Sequence, residues 1–140
     1  MNRILRPGGV LLIQEINASF FMRLFLRLMR HEGYSFDVDV FNEEAVCTNP
    51  NDLWSANCAI PNLLFDNKNK FKQKIPYFKI ISDKYCEFFI FLNSGGVIAK
   101  TFYIPLPIFL LRLIKLIDDI LTIISPRIFA LQRQIILQKI

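Results

Sequence analysis

The segment RPGGVLLI, residues 6–13, constrains the fold of this chain more than any other stretch. Its proline ends a helical turn that we expect over residues 3–6, and Gly8 and Gly9 permit a turn with positive φ. Residues 10–13 are apolar at every position instead of alternating. That pattern is typical of a strand covered on both faces, as in a parallel sheet between helical layers. The segment therefore predicts an α/β fold.

Polar side chains appear abruptly after this strand, at Gln14, Glu15 and Asn17. In open α/β sheets, ligands bind at the carboxyl ends of the strands. We therefore expect any ligand site of this chain to include residues at this position.

The overall composition restricts the partners of the chain. Hydrophobic residues make up 53% of its 140 residues, so some apolar surface is expected to contact another molecule or lipid. Residues 1–64 carry 5 basic and 7 acidic side chains, whereas residues 65–140 carry 12 and 5. A basic and apolar second half suits an anionic membrane surface better than nucleic acid.

No metal site is predicted. Cys47, Cys58 and Cys86 form no CxxC pair and have no histidine at ligand spacing. We expect them to be reduced thiols of a cytosolic protein. The carboxylates between residues 37 and 44 are clustered, but their spacing matches no calcium-binding loop.

Several later elements are predicted from periodicity and from turn residues. We expect a helix over residues 20–30, helical structure over residues 53–75, and strands over residues 78–88 and 128–139. The first helix carries a stripe of arginines, for which a solvated face and a membrane or phosphate contact are both open interpretations.

Residues 105–126 are apolar and about long enough to cross a bilayer. However, Arg112, Lys115, Asp118 and Asp119 interrupt the segment, and burying charges in lipid is costly. Positions 112, 115 and 119 share one helical face, which predicts an amphipathic helix. A cap over a ligand pocket, an interfacial anchor and an ordinary packed helix remain alternatives.

Five segments of the sequence resemble class I S-adenosylmethionine-dependent methyltransferases. LRPGGVLLIQE, residues 5–15, is similar to the segment that leads into the fifth strand of that family. Further segments resemble one subgroup: HEGYSFDVDVF, SANCAIPNLLFD, LNSGGV and FALQRQIILQKI. Together they extend over nearly the whole chain. The resemblance implies that residues 1–140 form the C-terminal portion of a methyltransferase domain, with strands five to seven.

The resemblance also implies a strand order and a gap. The family's sheet has the order 3-2-1-4-5-7-6 with strand seven antiparallel, so this Rossmann-like portion would be ordered 5-7-6. Strand five would then have a free edge, where association is expected. The glycine-rich cofactor loop of the family is not in this sequence, since Gly95 and Gly96 lie outside any G-x-G-x-x-G pattern. We therefore expect S-adenosylmethionine to bind only the complete enzyme, formed with a missing N-terminal half or a partner chain.

Methyl transfer in this family needs mainly in-line placement of the acceptor, with a general base in some members. Glu15 is a catalytic candidate because it ends the first strand. His31, the only histidine, is a second candidate base, with a structural role as the alternative. Asn17, Tyr34 and Asp37 are candidates for substrate binding.

The resemblance thus implies a portion of a methyltransferase that acts on a small-molecule or lipidic acceptor and is inactive alone. We expect it in the cytoplasm, with peripheral membrane contact as an option. The alternative is a non-catalytic, membrane- or partner-associated remnant, so enzymatic activity is left open.

Overall fold

The computed structural model of the chain describes residues 4–29, 33–42, 44, 56–95 and 102–140. Within them, the strands and helices are β1 Val10–Ile16, α1 Phe20–Met29, α2 Ile60–Phe65, α3 Lys68–Lys74, β2 Phe78–Cys86, α4 Phe89–Asn93, α5 Ile108–Ile124, α6 Pro126–Phe129 and β3 Gln132–Lys139.

The three strands form one sheet in the order β1-β3-β2. β3 is antiparallel to both neighbours, so β1 and β2 run in the same direction. A register shift between Ile80 and Ser82 interrupts the pairing of β2 with β3. The predicted mixed α/β class is confirmed, as is the order with the reversed last strand in the middle. The parallel pairing expected for β1 is not found among the described strands.

In the described part of the chain, helices cover only one face of β1. Leu11 and Ile13 pack into an apolar cluster with residues of α2 and α3, whereas Val10 and Leu12 on the other face each expose 57% of their surface. The prediction of a strand covered on both faces is therefore wrong within the described chain. The physical reason lies in β3, whose residues on that second face include three glutamines that water can solvate.

The first turn also differs from the prediction. Residues 4–6 are not helical; instead the Arg6 carbonyl accepts a hydrogen bond from the Gly9 N–H at 2.9 Å. Pro7 and Gly8 occupy the centre of this turn, and Gly8 has the positive φ of 78° that a type II turn needs there. A Cβ at Gly9 would lie 2.8 Å from the Arg6 oxygen, so a side chain there would clash.

The other elements follow the predicted pattern with changes at their ends. α1 lies within the predicted helix, and the expected helical segment after residue 53 is divided into α2 and α3, with residues 53–55 outside the described chain. Asn67 separates these two helices and caps α3, since its side-chain oxygen accepts from the Lys70 N–H. β3 begins at residue 132 and not at 128 because Pro126 starts the short helix α6.

The helix α5 lies within residues 105–126, the segment predicted to be an amphipathic helix, and one of its acids is buried. The Asp118 carboxylate accepts the backbone N–H groups of Phe88, Phe89 and Ile90, each at 3.0 Å. These donors begin α4, which has no cap from its own side chains. Asp118 therefore joins the two helices. Across the described part of the chain, every helix is too short or too polar to traverse a bilayer.

The described apolar residues pack into two clusters. One lies between the sheet and the pair α2–α3 and includes Phe65, Phe71 and Ile135. The other joins α1 to α4 and includes Met22 and Phe91.

Candidate functional site

A cavity of about 400 Å³ opens beside the carboxyl ends of β1 and β2. Asn17, Ala18 and Ser19 form the wall where β1 leads into α1, and Tyr85 of β2 and Arg133 of β3 also line the cavity. A ligand site is expected here from the sequence, because ligands of open α/β sheets bind at this end of the strands. This cavity is the candidate functional site.

The wall contributed by the sheet is organised by Arg133, which is only 1% exposed. Its Nε and Nη2 donate to the two carboxylate oxygens of Asp83 at 2.8 and 3.0 Å, and its Nη1 donates to Asp66. The guanidinium also lies over the rings of Tyr85 and Phe65, 4.8 and 5.8 Å from their centroids. All three guanidinium nitrogens are therefore occupied by protein carboxylates, which fixes the shape of the cavity.

Burial and ion pairing shift the pKa values of Asp83 and Arg133 in opposite directions. Burial alone would raise the pKa of Asp83, but hydrogen bonds and charges from Arg133 and then Lys68 outweigh it and lower this pKa below its ordinary value. Burial would lower the pKa of Arg133, but Asp83, Tyr85 and Asp66 reverse the effect and raise it. Both groups are charged at neutral pH.

Asn17 lies at the cavity wall but uses its amide within the protein. Its Nδ2 donates to the Ala130 carbonyl at 2.8 Å, and its Oδ1 accepts from Asn62 Nδ2 at 2.9 Å. Asn62 Oδ1 in turn accepts the Ala18 N–H at 2.9 Å. Asn17 thus holds the junction of β1 and α1 in place, and shapes the site more than it offers polar atoms to a ligand.

Tyr34 lines a second, smaller cavity of about 200 Å³. Its ring lies near two guanidinium groups, with the Cζ atoms of Arg23 and Arg27 at 5.8 and 5.5 Å from the ring centroid. Arg23 lines both cavities. The predicted substrate residues Asn17 and Tyr34 therefore lie on neighbouring cavities that share one arginine.

The remaining predicted site residues lie elsewhere. Glu15 is opposite Arg133 in the strand register, yet it is exposed and lines a groove of about 760 Å³ beside β1. Asp37 is exposed and its N–H donates to Ser35 Oγ at 3.3 Å. Asp37 does not line the candidate site, and His31 is outside the described residues.

The Arg133–Asp83 pair is not directly indicated by the sequence, because 50 residues separate its members. One signal was available: Arg133 has the same strand phase as the buried residues Ile135 and Leu137. A cation at a buried phase of a strand needs a carboxylate partner, so this phase predicts an acidic residue in a neighbouring strand or helix.

Metal binding finds no support in the part of the chain that the structure describes. No group of three potential ligands from His, Cys, Asp and Glu occurs there. Burial, followed by the charge of Glu87, raises the pKa of the Cys86 thiol to about 11, which keeps the thiol protonated and a poor ligand. Cys47 lies outside the described residues.

The residues of the candidate site do not fit S-adenosylmethionine. Its lining contains no glycine, so the backbone offers no close approach to the ligand. Its two carboxylates, Asp66 and Asp83, are already bound by Arg133 and are not available to hold a ribose. Comparison of the chain with models of protein families, with curated proteins and with solved structures gave no match.

Proposed function

We propose that this chain is the acceptor-binding portion of a class I S-adenosylmethionine-dependent methyltransferase domain, with another portion supplying the cofactor site. One observation carries the proposal. The order β1-β3-β2 with an antiparallel central strand is the arrangement that the resemblance implies for strands five, seven and six. The resemblance rests on sequence motifs, whereas the order rests on strand pairing.

The free edge of β1 supports the same proposal. No described strand pairs with this edge. The groove beside it is lined by residues 11–16 of β1 and by Ile60, Pro61 and Leu64 of α2. An extended segment placed here would add a strand to the sheet and would bury apolar side chains. In the proposed domain, that segment is the fourth strand.

Along β1, the backbone N–H and C=O groups of successive residues point alternately to the two edges of the strand. The Gly9 carbonyl accepts the N–H of Lys139 in β3, and the Asn17 N–H donates to the carbonyl of Leu131, the residue before β3. The odd-numbered residues between them therefore direct their N–H and C=O groups to β3. Residues 10, 12, 14 and 16 therefore direct their N–H and C=O groups to the free edge. They are the groups to which a fourth strand would bond.

In this proposal the residues of the chain hold and orient the acceptor, since in-line placement accounts for most of the rate gain in such a transfer. Arg133 and Asp83 fix the wall of the cavity, and Asn17 fixes the turn beside it. Glu15 faces the groove beside β1, so any catalytic role for it requires the added portion to approach that edge.

The test is co-expression of this chain with the coding sequence immediately upstream of its own, followed by calorimetric titration with S-adenosylmethionine. We expect the pair to bind at micromolar ligand. The chain alone should show no binding up to about 1 mM, where a bound ligand has roughly 4 kcal/mol of affinity. Saturable micromolar binding by the chain alone would contradict the proposal, as would an upstream region encoding no glycine-rich strand–loop–helix.

A second candidate function is membrane association, which one observation on α5 favours. Seven apolar residues lie within about a third of the helix circumference and are exposed: Phe109, Leu113, Leu116, Ile117, Ile120, Ile123 and Ile124. We call this set the α5 stripe. Phe102, 91% exposed, precedes the helix, and Arg112 flanks the stripe. A cationic flank beside an apolar stripe is the pattern of an interfacial helix.

A further inference from the structure

We propose that the candidate site binds a small amphipathic anion, with a carboxylate or phosphate head and an apolar tail. The proposed function assigns this cavity to the methyl acceptor, and the inference names the chemical class of that acceptor. Only the identity of the ligand as an acceptor rests on the proposed function. The binding itself requires no cofactor and no methyl transfer.

The charge of the lining is the first argument. Arg23, Lys68, Arg127 and Arg133 contribute four positive charges, and two carboxylates contribute two negative ones, so the net charge of the lining is +2. A concave site with an excess of one charge attracts ligands of the opposite charge. An anion is therefore favoured over a neutral or cationic ligand.

Within the described part of the chain, two of the four cations that line the cavity are free of protein carboxylates. Both carboxylates of the cavity are engaged by Arg133, and Asp83 also pairs with Lys68 at 3.1 Å. Among the described residues, no carboxylate forms an ion pair with Arg23 or Arg127. Guanidinium groups bind planar carboxylates and phosphates through two parallel hydrogen bonds. Arg23 and Arg127 are therefore the groups that would bind the head.

The third argument is the apolar surface next to Arg23. The smaller cavity that Arg23 also lines is bordered by Phe20, Leu24, the ring of Tyr34 and a second arginine, Arg27. Phe20 and Leu24 expose 53% and 38% of their surface. A ligand whose head binds Arg23 in the larger cavity can place an apolar tail against these side chains. Burial of that tail would add affinity that a bare anion lacks.

The inference is tested by calorimetric titration of the chain at low ionic strength with octanoate, octyl phosphate and octanol. We expect saturable binding of at least one anion, and binding of octanol weaker by about tenfold or more. Comparison of the two anions identifies the preferred head. Inorganic phosphate and acetate should bind more weakly than their octyl counterparts, because they have no tail.

The variants Arg127→Gln and Arg23→Gln should each weaken binding of the anion by about tenfold or more. Lys84→Gln is the matched control, because it removes the same charge from an exposed residue of β2 that lines neither cavity. Circular dichroism and urea unfolding verify that each variant is folded.

The inference is overturned if neither anion binds saturably, if octanol binds equally well, or if Lys84→Gln weakens binding as much as the two arginine variants. Failure of this test leaves the cofactor titration of the co-expressed pair unaffected, so the two proposals fail independently.

Discussion

Arg133 and Asp83 show how much of the candidate site depends on single side chains. The guanidinium is buried in the sheet and bound bidentately by a carboxylate that is itself only 8% exposed. A buried ion pair adds little net stability over apolar residues, but removing one partner leaves the other charge buried without compensation. Asp66 stabilises the Arg133 guanidinium less than Asp83 does, because the side chain of Asp66 is 54% exposed.

The first prediction concerns the variant Asp83→Asn. We expect it to lower the free energy of unfolding by about 3 kcal/mol or more, because Arg133 loses its bidentate partner. Urea unfolding measures the change. Asp39→Asn is the matched control: it removes an exposed carboxylate paired with Lys70 and should lower the free energy of unfolding far less than Asp83→Asn, because water screens the exposed pair. Equal losses in the two variants would contradict the assignment of a structural ion pair.

The second prediction concerns the pH dependence of the same pair. The pKa of Asp83 is lower in the folded state than its ordinary value of 3.8. Its contribution is therefore present above the ordinary pKa and is lost as pH falls through the folded pKa. The stability gap between wild type and Asp83→Asn should narrow as pH falls below 3.8. Urea unfolding at a series of acidic pH values measures it, and a gap that stays constant would contradict the account.

The helix α5 combines a buried carboxylate, that of Asp118, with an exposed apolar face, the α5 stripe. Asp118 faces inward and caps α4, while Asp119, the next residue, forms an exposed ion pair with Lys115. The two acids are adjacent in sequence and differ only in helical phase. Periodicity alone groups 119 with 112 and 115, and it could not reveal that 118 meets the first N–H groups of another helix.

The third prediction compares these adjacent acids. Asp118→Ala should lower the free energy of unfolding by about 2–4 kcal/mol, because three backbone N–H groups at the start of α4 lose their acceptor. Asp119→Asn should cost about 0.5 kcal/mol or less, the size of an exposed i,i+4 pair. Thermal or urea unfolding of both variants measures the contrast. A loss for Asp119→Asn that matches Asp118→Ala would show that the cap is not important.

The fourth prediction concerns the α5 stripe and lipid. We expect the chain to sediment with vesicles that contain anionic lipid, and added salt should weaken this binding by screening. The double variant Leu116→Gln/Ile120→Gln should reduce binding by about tenfold or more through lost apolar burial. Val10→Gln, an equally exposed apolar residue on β1, is the control. Equal partitioning of the wild type to neutral and anionic vesicles would indicate an apolar packing surface and no electrostatic membrane contact.

At the scale of the whole molecule, local signals predicted the elements and a family resemblance predicted their order. The Pro7-Gly8 turn, α1, β2 and α5 follow from turn residues and periodicity, and the central position of β3 follows from the resemblance. The solvated face of β1 could not be predicted from its own apolar run, because the residues of β3 decide it. Likewise, the position of Asn17 directly after a strand predicts that it lies near a ligand site, whereas Arg133 meets Asp83 only through tertiary structure.

The free edge of β1 should accept another strand, and sedimentation velocity at micromolar concentrations measures whether it does. We expect the wild-type chain to self-associate through this edge when no complementary portion is present. Gln14→Pro removes an N–H directed to the free edge and keeps the bonds to β3, so it should shift the chain toward monomer. Gln14→Ala removes the side-chain hydrogen bond to Gln132 and leaves the edge intact, so it should associate like the wild type. A wild-type chain that is monomeric and unfolds cooperatively would contradict the claim.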